Sequence, residues 1–90
     1  VVHQPQLLDA QEMHRQHPDT FAVPSDAELD AIQPGDNCKL VFDDAERMWV
    51  QVIEIHGDRL VGTLNNVPIC IDLRVGDKVR FERRHVIAIY

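Results

Sequence analysis

The spacing of apolar residues changes at Pro34-Gly35-Asp36, and this change limits the possible folds more than any other feature of the sequence. Before it, short capped segments are typical of helices. After it, Cys38, Leu40 and Phe42 alternate with the residues between them, which is the period of a strand with one buried face. More short β-type segments follow at close spacing, with no crossover helix between them. This pattern favours an antiparallel sheet or barrel.

The strand pattern predicts the fold class and the division of the chain. We expect five or six short strands, at residues 38–42, 47–55, 59–64, 69–71, 78–81 and 85–89. The fold is predicted to be mainly β with N-terminal helices (α+β), a small antiparallel SH3-like barrel preceded by one or two short helices. Residues 1–8 are predicted to be a tail. Residues 9–90 form a single domain, with a helical segment at 9–33 and the barrel at 34–90.

Two capping boxes predict the helices. Asp9-Ala10-Gln11-Glu12 is a variant box that begins a helix running to about His17. Ser25-Asp26-Ala27-Glu28 is a full box that begins a second helix of about two turns. Leu29 and Ile32 are expected to point inward from this second helix.

A Gly-Asp pair precedes two of the predicted strands. Gly35-Asp36 begins the first strand and Gly76-Asp77 begins the strand at 78–81. Glycine permits a turn with positive φ, and aspartate can accept hydrogen bonds from the N–H groups that follow it. We therefore expect both glycines to have positive φ.

The charge balance argues against nucleic acid as the partner. The chain has a net charge of −6, with −9 in residues 1–58 and +3 in residues 59–90. An acidic domain lacks the overall basic footprint of a nucleic-acid-binding protein. The basic stretch from Arg74 to Arg84 either neutralises the acidic half or forms a local edge for an acidic partner or a phosphate backbone.

Two cysteines bear on the compartment. Cys38 and Cys70 lie in apolar stretches, where a free cysteine behaves as a small hydrophobic residue. We predict two buried thiols, which suits a reducing compartment, and a bacterial cytoplasmic location is the default. No apolar run is long enough to span a membrane.

An ordered series of motifs resembles a bacterial family. It comprises Gly35-Asp36 with Lys39-Leu40-x-Phe42, Glu46-Arg47-Met48-Trp49-Val50, Gly62-x-Leu64-x-Asn66-x-Pro68, and Gly76-Asp77-x-Val79-x-Phe81. Over residues 13–90 the chain resembles the family called domain of unknown function 2314 (DUF2314). The resemblance implies a small barrel and bacterial origin, and it implies no activity.

Metal and catalytic sites are predicted to be absent. His14-x-x-His17 places two imidazoles on one helical face, but zinc prefers four ligands in paired short spacings. Asp43, Asp44 and Glu46 lack the loop length and glycine of a calcium loop. A cysteine nucleophile needs an exposed, electropositive setting, which the apolar surroundings of Cys38 do not offer. We therefore predict no enzyme activity, no metal and no cofactor.

Trp49 is the most informative single residue. It lies on a strand that is apolar on both faces, so the face opposite the core requires a cover. The N-terminal helical segment, with Phe21 beside it, is the expected cover. Alternatively, Trp49 is a half-exposed anchor for a partner, since tryptophan is enriched at binding hot spots.

These observations predict a non-enzymatic domain that binds another macromolecule, most plausibly a protein. The predicted contact residues are Trp49, Asn66, Pro68 and Arg84. One alternative is a small acidic inhibitor or immunity-type protein that covers a basic enzyme or nuclease groove with the carboxylates of residues 26–46. A metal-dependent or thiol hydrolase is the second alternative.

Overall fold

Alternating apolar residues from residue 37 onward form five antiparallel strands. The computed structural model describes residues 6–69 and 71–90. Its elements are α1 (Ala10–Gln16), α2 (Asp26–Asp30), β1 (Asn37–Phe42), β2 (Glu46–His56), β3 (Arg59–Leu64), β4 (Lys78–Glu82), a 3₁₀ turn (Arg83–His85) and β5 (Ala88–Ile89). The strands form one sheet in the order β4-β3-β2-β1-β5. The fold is therefore mainly β with two short helices, and the sheet does not close into a barrel.

The predicted strand at 69–71 is not a strand in the described part of the chain. Ile69 and Ile71 lie in bends, and Cys70 lies outside the described residues. The backbone N–H groups of Ile69 and Ile71 donate to the Glu46 carboxylate, at 2.9 and 3.2 Å. A side chain thus takes the hydrogen bonds that a neighbouring strand would have made.

One face of the sheet packs against α2 and forms the core. Leu29 and Ile32 are buried as predicted, at the end of a helix that begins with the full capping box of Ser25 and Glu28. The core also contains strand and loop residues: Cys38, Leu40, Phe42, Met48, Val50, Val52, Leu60, Leu64, Leu73, Val79, Phe81 and Val86. The prediction of a buried thiol is confirmed for Cys38, and Cys70 lies outside the described residues.

The two Gly-Asp turns hold the sheet in register by the same set of hydrogen bonds. Gly35 N–H donates to the Val52 carbonyl and Val52 N–H donates to the Asp36 carbonyl, both at 2.8 Å. In the second turn the Gly76 N–H donates to the Leu64 carbonyl, and Leu64 N–H donates to that of Asp77, again at 2.8 Å. Both glycines have positive φ, at 99° and 91°, as predicted.

The two aspartates were expected to accept hydrogen bonds from the N–H groups that follow them, and this prediction was wrong. Asp36 Oδ2 accepts from the N–H of Gln33, and Asp77 Oδ2 accepts from the N–H of Arg74, so each bonds three residues back. Each carboxylate therefore closes its own turn and leaves the following N–H groups for the sheet.

The N-terminal segment docks through a strand bridge and an ion pair. Residues 6–8, which we predicted to be part of a tail, lie beside β1: Leu7 pairs with Phe42, and Leu8 N–H donates to the Val41 carbonyl at 3.1 Å. Asp9 caps α1 as predicted, and its other oxygen accepts from Arg84 at 2.9 Å. These contacts hold in place a helix that is too short to be stable alone. Among the described residues, no helix is long and apolar enough to cross a membrane.

His85 stabilises the start of the 3₁₀ turn from within. It is buried, and its Nδ1 accepts from the backbone N–H of Glu82 at 2.9 Å. Because Nδ1 is the acceptor, the neutral ring carries its proton on Nε2. Burial lowers the pKa of His85, and the charge of Arg84 adds to this, while Glu82 and Asp9 oppose it.

We expect Gly35→Ala and Gly76→Ala each to lower the free energy of unfolding by more than about 1 kcal/mol, because alanine is strained at positive φ. No atom lies within 4 Å of a Cβ placed at either glycine, so the cost comes from the backbone. Thermal and urea unfolding measure it. Val75→Ala is the matched control within the second turn, with a change of about 0.5 kcal/mol or less. Unfolding of the glycine variants at the wild-type midpoint would contradict the account.

We also expect the stability to depend on pH through His85. The unfolded chain protonates this histidine near its ordinary pKa of about 6.5, whereas the folded protein accepts the proton only at lower pH. The contribution of His85 to the free energy of unfolding should therefore be constant above about pH 7 and fall towards pH 5, by at most about 1.4 kcal/mol per pH unit.

The variant His85→Asn should flatten this pH dependence, because asparagine cannot be protonated. The exposed His56 provides the control His56→Asn, which should keep the slope. An NMR titration of the wild-type imidazoles gives a second readout. A His85 midpoint at or above 6.5 would show that the buried ring is not the source.

Candidate functional site

The sheet presents a second face, opposite the core, that carries the candidate site. Residues directly opposite each other on paired strands point to the same side. Because Cys38, Val50 and Leu64 are buried in the core, their neighbours Lys39, Trp49 and Thr63 lie on the other side. We call this the outer face, and it comprises the side chains that alternate with the core residues of β1 to β4, together with Ala88 and Tyr90.

Trp49 lies at the centre of an aromatic and cationic group on the outer face. Its cross-strand partner is Lys39, whose Nζ lies 5.5 Å from the centroid of the indole ring. Tyr90 approaches the same ring edge-on, with the centroids 6.3 Å apart and the planes at 62°. Such cation–π and aromatic contacts each contribute about 0.5–1 kcal/mol at exposed sites. Tyr90 is 88% exposed, so the group faces solvent.

Asn66 fixes the backbone of Trp49. The Oδ1 atom of Asn66 accepts from the Trp49 N–H, and the N–H of the preceding Asn65 donates to the Trp49 carbonyl at 2.9 Å. Two of the predicted contact residues are therefore brought together, but Asn66 acts on the main chain of β2. Its role in the structure is to position Trp49.

The loop after β3 places apolar residues along the edge of β2. It is held at one end by Asn65 and Asn66 on Trp49, and at the other by the Glu46 carboxylate, which accepts from Ile69 N–H. Between these ties Pro68 is half-buried, while Val67 and Ile69 are 78% and 89% exposed. Pro68, which was predicted as a contact residue, therefore lies in the loop beside Trp49. The most exposed apolar residues of this loop are Val67 and Ile69, on either side of the proline.

Arg84 belongs to a different part of the molecule. Its guanidinium donates to Asp9 at 2.9 Å and to Glu82 at 3.2 Å, which joins the 3₁₀ turn to α1. The hydrogen bond from Arg84 lowers the pKa of Glu82. These contacts give Arg84 a structural role in docking the N-terminal segment.

The N-terminal segment lies against the outer face at the pair Val41 and Arg47. This pair is next to the pair Lys39 and Trp49, where the cover was predicted. Val41, which pairs with Arg47, is only 7% exposed although it points away from the core. Met13 and Phe21 join them around a shallow cavity of about 500 Å³. His14 supports this arrangement, since its Nδ1 lies 2.6 Å from the Phe21 carbonyl. This cavity is lined by Val41 and Arg47 of the outer face, and not by Lys39 or Trp49.

The charged side chains near Trp49 on the outer face are basic. Lys39, Arg47 and Lys78 occupy the half of the face that contains Trp49, while Glu54 and Glu82 lie towards the β2–β3 hairpin. In the described part of the chain, none of these three bases lies within 4 Å of a carboxylate oxygen. An acidic protein thus carries a locally basic surface.

The groups considered for catalysis lie elsewhere. The thiol of Cys38 is fully buried, and burial, with a contribution from the charge of Asp36, raises its pKa to about 12. A thiol in this state is a poor nucleophile. Within residues 6–69 and 71–90, no three histidine, cysteine or acidic side chains converge in a way that could hold a metal ion.

Sequence reasoning missed four members of the site: Lys39, Val67, Ile69 and Tyr90. Each is placed by contacts between distant segments. The alternation of β1 with β2 was the one signal that could have placed Lys39 beside Trp49, once the hairpin turn between the strands was fixed.

No family model, curated protein or solved structure matches the chain. The resemblance to DUF2314 therefore stays a prediction.

We expect the fluorescence of Trp49 to be quenched more strongly by iodide than by caesium ions. The chain has one tryptophan, and Lys39 attracts the anion and repels the cation at the ring. Lys39→Gln should bring the two quenching constants closer together, whereas Arg15→Gln, on α1, should leave their ratio unchanged. Equal quenching by both ions in the wild type would contradict the exposed, basic surroundings described for Trp49.

Proposed function

We propose that this chain is a non-enzymatic binding domain that recognises another protein through the outer face around Trp49. The observation that carries the proposal is the half-buried Trp49, in contact with Lys39 and with the exposed Tyr90, next to a loop that exposes Val67 and Ile69. Interfaces are enriched in tryptophan and tyrosine, and their hot spots lie where such residues are surrounded by groups that exclude water. Here the half-exposed ring is anchored on a strand and rimmed by a tethered loop.

The scaffold supports a variant of the SH3-like barrel. Its strand order is β4-β3-β2-β1-β5, and a 3₁₀ turn links β4 to β5. The long β2 contains a register shift between Val52 and Glu54, which allows its two halves to pair with different neighbours. We propose that the sheet is an open form of that barrel. The N-terminal segment lies beside the end of β1 that does not pair with β5.

Binding through the outer face has more support than the alternative, an acidic inhibitor that uses the carboxylates of residues 26–46. Of the carboxylates at 26–46, those of Asp36 and Glu46 are hydrogen-bonded to backbone N–H groups, and Asp26, Glu28 and Asp30 lie on α2. The remaining pair, Asp43 and Asp44, forms the β1–β2 turn with positive φ. These carboxylates are spread over separate elements, so the acidic inhibitor is the weaker proposal.

Site-specific photo-crosslinking tests the proposed function. A benzophenone amino acid in place of Gln51, which is exposed beside Trp49 on β2, should capture a protein from the native host. The same group in place of Ala31, which is exposed after α2, should not capture it. The captured partner, once identified, should bind Tyr90→Ala and Trp49→Ala more weakly by about 30-fold, the effect of losing a hot spot of about 2 kcal/mol.

Tyr90→Ala is the decisive variant of the two, because a side chain that is 88% exposed can be removed without changing the core. Unfolding measurements show whether Trp49→Ala retains its fold. A partner that crosslinks through residue 31, or that binds both variants as tightly as the wild type, would contradict the proposal.

A further inference from the structure

Eight of the nine basic residues of the chain divide into two groups according to their partners, and the ninth, Arg74, lies in the turn before β4. Arg15, Arg83 and Arg84 lie on α1 and the 3₁₀ turn, and each forms an ion pair within the chain. On the outer face of the sheet, the basic residues are Lys39, Arg47, Arg59, Lys78 and Arg80, and in the described part of the chain none has a carboxylate oxygen within 4 Å. In a chain with 15 acidic residues, the bases available for a partner are thus concentrated on one surface.

We infer that the partner bound on the outer face is an acidic, extended polypeptide segment, with an apolar side chain on Trp49 and carboxylates at Lys39 and Lys78. This inference rests on the proposed function and specifies its partner. Complementary charge steers such encounters and excludes wrong partners, while the aromatic contact supplies most of the affinity.

The register of the sheet defines the path of the segment. One row of side chains crosses all five strands, and it consists of Tyr90, Asn37, Gln51, Thr63 and Lys78. The adjacent row contains Ala88, Lys39 and Trp49. Tyr90 and Trp49 are aromatic, Lys78 ends the first row, and the amides of Asn37 and Gln51 lie between them. A chain that crosses the strands therefore meets apolar, amide and cationic groups in turn.

Strand spacing sets the distance between the recognised groups. Trp49 and Lys78 are two strands apart, and Lys78 is level with Gln51, two residues from Trp49 along β2. At about 4.8 Å between strands and about 3.3 Å per residue, the two are about 12 Å apart, which an extended chain covers in about four residues. The partner segment should therefore carry a carboxylate about four residues from its apolar anchor, and a second one near the anchor to meet Lys39.

A polypeptide fits this surface better than a single-stranded nucleic acid. A nucleic acid carries a phosphate at every nucleotide and requires a continuous basic groove with aromatic platforms for successive bases. Here the basic side chains nearest Trp49 do not form a continuous groove. Tyr90 meets the indole edge-on at 62°, so the two rings do not form parallel platforms for nucleobases. The net charge of −6 also repels a long polyanion, whereas a few carboxylates within about one Debye length, near 8–10 Å, respond to the local bases.

Three synthetic nonapeptides test the inference, with binding followed by the fluorescence of Trp49. Each has a central leucine, flanked on both sides by four glutamates, four glutamines or four lysines. The glutamate peptide should bind at least about 10-fold more tightly than the glutamine peptide, and more weakly in 0.5 M than in 0.05 M NaCl. The lysine peptide should not bind. Binding of a single-stranded oligo-dT of 20 nucleotides is measured in the same way. Sedimentation of the protein alone measures its self-association.

Matched charge reversals locate the effect. Lys78→Glu and Arg15→Glu change the net charge by the same amount, but only Lys78 lies on the outer face. Lys78→Glu should weaken binding of the glutamate peptide by about 10-fold, and Arg15→Glu by about 2-fold or less. Both residues are exposed, so both variants should fold.

The other outcomes overturn the inference. Equal binding of the glutamine and glutamate peptides, each lost in Tyr90→Ala, would overturn the acidic partner and leave the proposed face in place. Binding of oligo-dT in preference to the glutamate peptide would identify a nucleic acid as the occupant. Self-association of the protein that Lys78→Glu abolishes would identify a second copy of the chain. Failure of the crosslinking at residue 51 contradicts the proposed function itself, whereas equal peptide binding contradicts only the acidic partner, so the two failures are distinguishable.

Discussion

Two pairs of backbone hydrogen bonds set the register on which the rest of the molecule depends. Asp36 pairs with Val52 and Asp77 pairs with Leu64, each after a glycine with positive φ. A slip of one residue in either pairing would turn every side chain of the strand to the opposite face. Lys39 would then enter the core. The aromatic and basic surface is therefore a consequence of where two tight turns begin their strands.

The sequence contained these turns and the alternation, and so predicted the core face of the sheet. Gly35, Gly76 and the capping box at Ser25 are local signals, and the structure confirms all three. The predicted strand at 69–71 failed because the Glu46 carboxylate, more than 20 residues away, takes the N–H groups of Ile69 and Ile71. A short apolar run gives no sign of a distant side chain that will bind its backbone.

The candidate site shows the same division between local and distant signals. Trp49 and Asn66 were identifiable because a tryptophan on a two-sided strand and an asparagine in a turn are locally unusual. The contact of Tyr90 with Trp49 requires that β5 pair with β1, which brings the last strand in the sequence beside the first. The expected cover of Trp49 was displaced to Val41 because residues 6–8 pair with the end of β1 and carry the helix with them.

The pairing of the basic residues separates those that hold the fold together from those that we propose for recognition of a partner. Arg84 joins Asp9 and Glu82, and Arg83 donates to the carbonyls of Leu29 and Gly57, so these two residues hold the 3₁₀ turn to both helices and to the β2–β3 hairpin. The bases of the sheet make no such ties within the described residues. A small domain has little stability to lose, and bases that hold its elements together cannot be released for a partner. Because the basic residues of the outer face do not hold the helices in place, the partner that we propose could bind them without changing the packing of the helices.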